Sequence, residues 1–189
     1  MSSSRARILS VASELIAAQG VAVSMSEIAR VAGLSRQGVY LHFPTRAALM
    51  VALVQEADRA SGIERRGARA LAIGDPREAL ESFLRLWLRY VGTIQPLATV
   101  LLAARRDDEA AFAAWEDRNS VLRQGLRRAT DRLDAAGLLR DGLSPAAAAD
   151  LAGAMTAVGV WEELVLDRDW SLRRVEDELA GAVVAALCV

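Results

Sequence analysis

The sequence predicts an all-α protein of about nine helices, and three observations carry that prediction. Alanine and leucine, both strong helix formers, dominate the 189 residues. Only 4 prolines interrupt them. Valine and isoleucine occur, but not in the alternating runs bounded by turn dipeptides that mark strands. Hydrophobic residues make up 53% of the chain, enough to bury a substantial core. The length fits one large domain, or a small one joined to a medium one.

Each element has a local reason. Ile8, Ala12, Leu15 and Ile16 recur at helical spacing, with Ser4 as the expected cap and Gly20 as the stop. In "SMSEIARVAGLS", Ser24 and Glu27 form an S-x-x-E capping box ahead of a two-turn helix that ends at Gly33. Ser35 is placed to cap a third, short helix, which Phe43-Pro44 terminates. Thr45 caps a fourth, expected to run into the arginine-rich sixties. Two short helices around a glycine turn, behind a longer supporting helix, describe a helix-turn-helix.

Asp75 and Pro76 open the next helix, whose Leu80, Phe83, Leu84, Trp87, Leu88 and Val91 make a buried face. A shorter apolar helix is expected from Pro96 to Ala104. A long one then carries Phe112, Trp115, Asn119, Leu122, Ala129 and Leu133 to Gly137. Ser144 and Pro145 open another, expected to reach Leu166, and Ser171 caps the last. No internal repeat or low-complexity linker is visible.

Charge and cysteine usage narrow the functional classes. Net charge is −1, but residues 1–69 hold nine Arg against five acids, and the remainder fourteen Arg against nineteen. A basic front and an acidic back suggest two jobs on one chain. The lone Cys188 has no intrachain disulfide partner, which suggests a reducing cytoplasm. The amphipathic N-terminus does not read as a signal peptide, and no uninterrupted apolar run approaches a membrane span. One histidine and one cysteine exclude most His/Cys metal sites and Cys–His or Ser–His catalysis, and no Gly-rich phosphate loop appears. No catalytic residue, metal or cofactor is expected.

The stretch "SRQGVYLHF" concentrates a tyrosine, the single histidine and a phenylalanine in four positions. At 100° per residue, Val39 and Phe43 share the inner face of the third helix. Gln37 and Leu41 then point outward near Gly38, Tyr40 and His42 fall on the flanks, and Arg36 sits at the N-terminal end. Such a helix suits the major groove of DNA. There Arg36 pairs with guanine, Gln37 with adenine, and Leu41 meets a thymine methyl, while Tyr40 and His42 reach bordering phosphates. Gly38 lowers helix propensity by about 1 kcal/mol relative to alanine, tolerable if it lets the backbone approach the bases. Arg46 opposes the dipole of the fourth helix unless a phosphate lies beside it.

"SMSEIARVAGLSRQGVYLHFPTRAAL" strongly resembles the DNA-binding domain of TetR-type transcriptional regulators. The matching elements are Ser24, Ile28-Ala29, Ala32-Gly33-Leu34-Ser35, Tyr40, His42-Phe43 and Arg46. Gly38 stands where that family often has Thr or Ser, and Arg46 replaces the more frequent lysine. The resemblance implies a helix-turn-helix domain over residues 1–64 and a helical effector-binding and dimerisation domain over 65–189. It implies DNA-side roles for Ser24, Ser35, Arg36, Gln37, Gly38, Tyr40, Leu41, His42, Thr45 and Arg46. It also implies a homodimer through the last two helices, in keeping with their small residues Gly153, Ala154, Ala157, Gly159, Gly181, Ala182, Ala185 and Ala186.

Further implied are a palindromic operator and a repressor released by a small hydrophobic effector. Candidate pocket residues are Trp87, Tyr90, Trp115, Asn119, Met155 and Trp161, each of which equally suits plain core. The alternative is a helical ligand-binding or protein-interaction module that has lost operator binding. Double-stranded DNA is the expected partner, and a cytoplasmic setting follows.

Overall fold

The computed structural model describes residues 3–20 and 22–189. They form ten α-helices and one π-helical turn: α1 (Ser4–Gln19), α2 (Met25–Val31), α3 (Arg36–His42), α4 (Arg46–Ser61), α5 (Ile63–Leu71), α6 (Pro76–Ala104), α7 (Glu109–Ala135), α8 (Pro145–Met155), α9 (Val158–Glu162), the π turn (Glu163–Asp167) and α10 (Leu172–Leu187). The all-α class expected from composition is the class found. The chain divides into two compact units, residues 1–60 with 96–116, and residues 61–95 with 117–189.

The first unit is built on the apolar stripes of α1 to α4. Ile8 and Ala12 of α1, Ile28 and Ala29 of α2, Val39 of α3, and Leu49 and Met50 of α4 form one buried cluster with Phe43. Leu101 and Ala111, from the end of α6 and the start of α7, complete it. Caps fix where each short helix begins. Ser24 Oγ accepts from the Glu27 N–H at 3.1 Å, Ser35 Oγ from Gly38 at 3.0 Å and Thr45 Oγ1 from Ala48 at 3.0 Å. Gly20 (φ 77°) and Gly33 (φ 64°) end α1 and α2 in the left-handed region that glycine enters cheaply.

The second unit packs Leu80 and Leu84 of α6, Leu122, Leu126 and Leu133 of α7, Ala148 and Ala152 of α8, and Val183 and Leu187 of α10 into a second cluster. Arg85 of α6 pairs with Glu81 and with Asp177 of α10, and Arg89 pairs with Glu176.

Several boundaries differ from the sequence expectation. Ser3, not Ser4, caps α1, its Oγ accepting from Ala6 N–H at 3.3 Å. The fourth helix stops at Ser61, because Gly62 takes a left-handed conformation (φ 59°) and α5 starts afresh. Pro96 opens no new helix but lies inside α6. Its missing N–H costs about 3 kcal/mol. Leu88, Val91 and Ile94 before it and Ala98 and Leu101 after it are all buried, and about 1.5–3 kcal/mol for each large side chain outweighs that cost.

The helix expected over 145–166 is broken after Met155. There the buried Thr156 Oγ1 donates back to the Ala152 carbonyl at 2.7 Å and Ala157 turns extended. Finally, α6 is long and apolar enough, by length and average composition, to cross a membrane, but Arg85, Arg89 and Gln95 divide it, and it holds no uninterrupted apolar run of that length. Its fully buried Leu80, Leu84 and Leu88 give it one face packed against protein, and Arg85 and Arg89 pair with α10.

Candidate functional site

The helix-turn-helix presents α3 with one side committed to the core. Val39 is 0% exposed and Phe43 2%, so the expected inner face is the inner face found. Arg36, Gln37, Leu41 and His42 are exposed, and Leu41 reaches 79%. A large aliphatic side chain so fully in water gives the fold nothing. Seven residues make a rod about 10 Å long, which fits a groove about 12 Å wide.

The flanks differ from one another. His42 is exposed, whereas Tyr40 is half-buried against the first core. The Arg36 guanidinium lies over the Tyr40 ring, 5.6 Å from its centroid. That cation–π contact holds the arginine against its own helix. On the inner side, the Arg5 guanidinium covers the Phe43 ring at 5.2 Å. Arg5 of α1 is not singled out by the sequence, and nothing in its spacing separates it from an ordinary surface arginine.

Gly38 has a local explanation. Its N–H is the donor to the Ser35 cap, and a Cβ there would stand 3.3 Å from Ser35 Oγ. The glycine leaves the cap uncrowded. Arg46 Nη1 donates to the Val23 carbonyl oxygen at 2.5 Å, so part of that guanidinium serves the fold. Ser24, Ser35 and Thr45 hold the cap positions at the starts of α2, α3 and α4.

The second unit contains a cavity of about 310 Å³ between α5, α6 and α7. Ile63, Gly67, Leu71, Phe83, Leu86, Trp87, Leu122 and Gly125 supply apolar wall, and Glu64, Gln124 and Arg128 the polar part. Trp87 is the one sequence candidate in that wall. Tyr90 meets the Trp87 ring at 5.8 Å and 52° but is itself buried outside the wall. Asn119 is half-buried on α7, Met155 packs against the second core, and Trp161 is buried beside Gly92. Trp115 belongs to the first unit, with Arg105 5.7 Å from its ring.

Phe83, Gly67 and Gly125 are cavity residues that sequence reasoning missed. Their signal was available: two glycines inside strong helix formers, "ERRGARA" and "LRQGLRR", mark places of close approach. Among the described residues no group of three or more His, Cys, Asp or Glu is placed to hold a metal ion.

Residues 8–53 match the family described as bacterial regulatory proteins, tetR family. Solved structures share the fold along nearly the whole chain. PfmR, a TetR family transcriptional regulator from Thermus thermophilus, is 24% identical with a TM-score of 0.68, over 99% of this chain and 97% of that one. NalD, the secondary repressor of the MexAB-OprM multidrug efflux pump in Pseudomonas aeruginosa, is 22% identical with a TM-score of 0.66, over 98% and 96%. SmeT in its triclosan complex is 19% identical with a TM-score of 0.71, over 98% and 92%. No curated protein matches the sequence.

Proposed function

We propose that this chain, whose residues 8–53 match the tetR family of bacterial regulatory proteins and carry a DNA-binding helix-turn-helix, represses transcription as a homodimer on a palindromic operator and is released by a small apolar effector. The observation that carries the reading is Leu41, 79% exposed on a helix whose opposite face is sealed by Val39 and Phe43. Arg36, Gln37 and Leu41 read base edges in the major groove. Tyr40 and His42 fix the register on phosphates, with Arg46 and the caps Ser24, Ser35 and Thr45 at the backbone-facing helix starts. Gly38 keeps that surface low.

Dimerisation is supported by the solvent-facing composition of the last helices. Leu151 is exposed on α8, and a Cβ on Gly159 or Gly181 would meet nothing within 4 Å. Two copies of α3 one helical turn apart, about 34 Å, read a two-fold operator. The cavity behind Trp87 is the effector site. An effector acts by preferring the conformation with the lower DNA affinity, and that preference bounds its effect. NalD is a repressor and SmeT is held in complex with triclosan, and both favour the same reading here. The protein works in the cytoplasm, as a regulator and not as an enzyme.

The test is fluorescence anisotropy with duplexes tiling the DNA upstream of this protein's own gene. The expected result is tight binding to one palindromic segment at a stoichiometry of two chains. A triple variant Arg36→Ala, Gln37→Ala, Leu41→Ala that binds that segment as tightly as the wild type would refute the assignment.

A further inference from the structure

Phe83 of α6 is both core and cavity wall, and its ring lies between two glycines of the same wall. A Cβ placed on Gly125 of α7 would stand 2.3 Å from the ring Cζ, and 2.8 and 3.0 Å from Cε2 and Cε1. A Cβ on Gly67 of α5 would stand 3.2 Å from Cε2. At Gly125 even a methyl group and this ring cannot share the space. Glycine inside a helix is less stabilising than alanine, and here that loss has a purpose. It seats an aromatic ring between two helices at the boundary of an open cavity.

The polarity of the wall defines the ligand. Glu64, Gln124 and Arg128 are exposed and stand at the mouth, and the buried part of the wall holds no ionisable side chain. The enclosed part of a ligand is therefore uncharged, since an unpaired charge there would be expelled. A space of about 310 Å³, filled at the density of a protein interior, takes roughly 230 Å³ of molecule. That is two linked rings with several substituents or three bare linked rings, so the volume bounds the bulk of the ligand and the shape of the wall must set its length.

We propose that this cavity admits compact, uncharged, apolar molecules of about two rings, and that Phe83, seated by Gly67 and Gly125, sets the length admitted. The proposal rests on the effector reading of the cavity. With the ring seated, a longer molecule meets its edge. With a side chain at 125, the ring is pushed from its seat and intrudes on the space.

The test uses the full chain and two phenols of graded length, 4-phenylphenol and 4-hydroxy-p-terphenyl, titrated calorimetrically. Wild type is expected to bind the shorter at least tenfold more tightly. Phe83→Ala brings the two within about twofold, and Phe83→Leu, the milder change if the first unfolds, narrows the gap in the same direction. Gly125→Ala weakens the shorter phenol at least tenfold, and adding Phe83→Leu restores it. Equal wild-type affinity for both phenols, an unchanged preference in Phe83→Leu, or no restoration in the double variant overturns the proposal and leaves the effector reading standing. If wild type binds neither phenol, the cavity reading falls and the proposal with it.

Discussion

The Arg46 guanidinium donates through Nη1 to the Val23 carbonyl oxygen at 2.5 Å, tying the first residue of α4 to the turn ahead of α2. A cation at a helix N-terminus opposes the helix dipole by a few tenths of a kcal/mol, and this bond offsets that penalty. Val23 is buried, and this bond gives its carbonyl oxygen a donor. Arg46→Met is expected to cost about 1–2 kcal/mol and, in a chain of this size, to lower Tm by roughly 3–6 °C. Arg46→Lys recovers less than half, because an ammonium lacks the planar fork. Thermal unfolding by circular dichroism measures both. An unchanged Tm in Arg46→Met assigns the residue wholly to DNA.

The face of α3 predicts a split between specificity and general affinity. Arg36→Ala and Gln37→Ala each lose about 1–3 kcal/mol on the operator, and much less on a scrambled duplex, as base contacts do. Leu41→Ala leaves stability within about 0.5 kcal/mol, as an exposed position should, while weakening the operator alone. Tyr40→Phe and His42→Ala weaken both duplexes alike, because phosphates carry no sequence. Anisotropy on the paired duplexes reads all five. Equal losses on both duplexes for Arg36→Ala turn that residue into a phosphate contact.

The DNA-binding half was legible because its signals are local. Ser24, Ser35 and Thr45 cap the helices that their spacing announces, and Val39 and Phe43 bury as a period of 3.6 demands. What escaped depends on tertiary context. Pro96 reads as a helix start, but burial on both sides carries α6 through it. Thr156 reads as a helical residue, but α8 ends there, its hydroxyl bonded back to the Ala152 carbonyl and Ala157 extended beyond it. The cavity escaped most fully. Aromatic residues drew attention to Tyr90 and Trp161, which are core, whereas the wall turns on Phe83 and the glycines facing it. A glycine's role as empty space appears only once its neighbour is known.

Arg89 on α6 grips Glu176 on α10 with two bonds, Nε to Oε1 at 3.0 Å and Nη2 to Oε2 at 2.5 Å. Glu176 is buried, and its hydrogen bond to Arg89 is the main reason the guanidinium pKa rises above its usual value. Arg89→Met leaves that carboxylate stranded and is expected to cost about 2–3 kcal/mol. Arg89→Met with Glu176→Leu recovers at least half, because an apolar pair strands no charge. Urea denaturation of the three proteins measures the difference. A double variant no more stable than Arg89→Met would mean that packing, not charge, is lost at Arg89.

Cys188 caps α10, and partial burial pushes its thiol pKa up, with Arg77 pulling it partly back. Little thiolate is present near neutral pH, and the thiolate is the nucleophile. Iodoacetamide at pH 7.5 is expected to alkylate Cys188 several-fold more slowly than free cysteine, and more slowly still in Arg77→Ala. The same shift has a stability consequence of fixed sign. A thiol whose folded pKa lies above its unfolded value, about 8.5, contributes stability fully present below that value and lost as pH rises through the folded one. Wild type therefore loses stability on the alkaline side relative to Cys188→Ala, which has no thiol to ionise. Urea denaturation at pH 7.5 and pH 10 checks this: a difference between the two proteins that stays constant with pH would show that folding does not perturb the thiol.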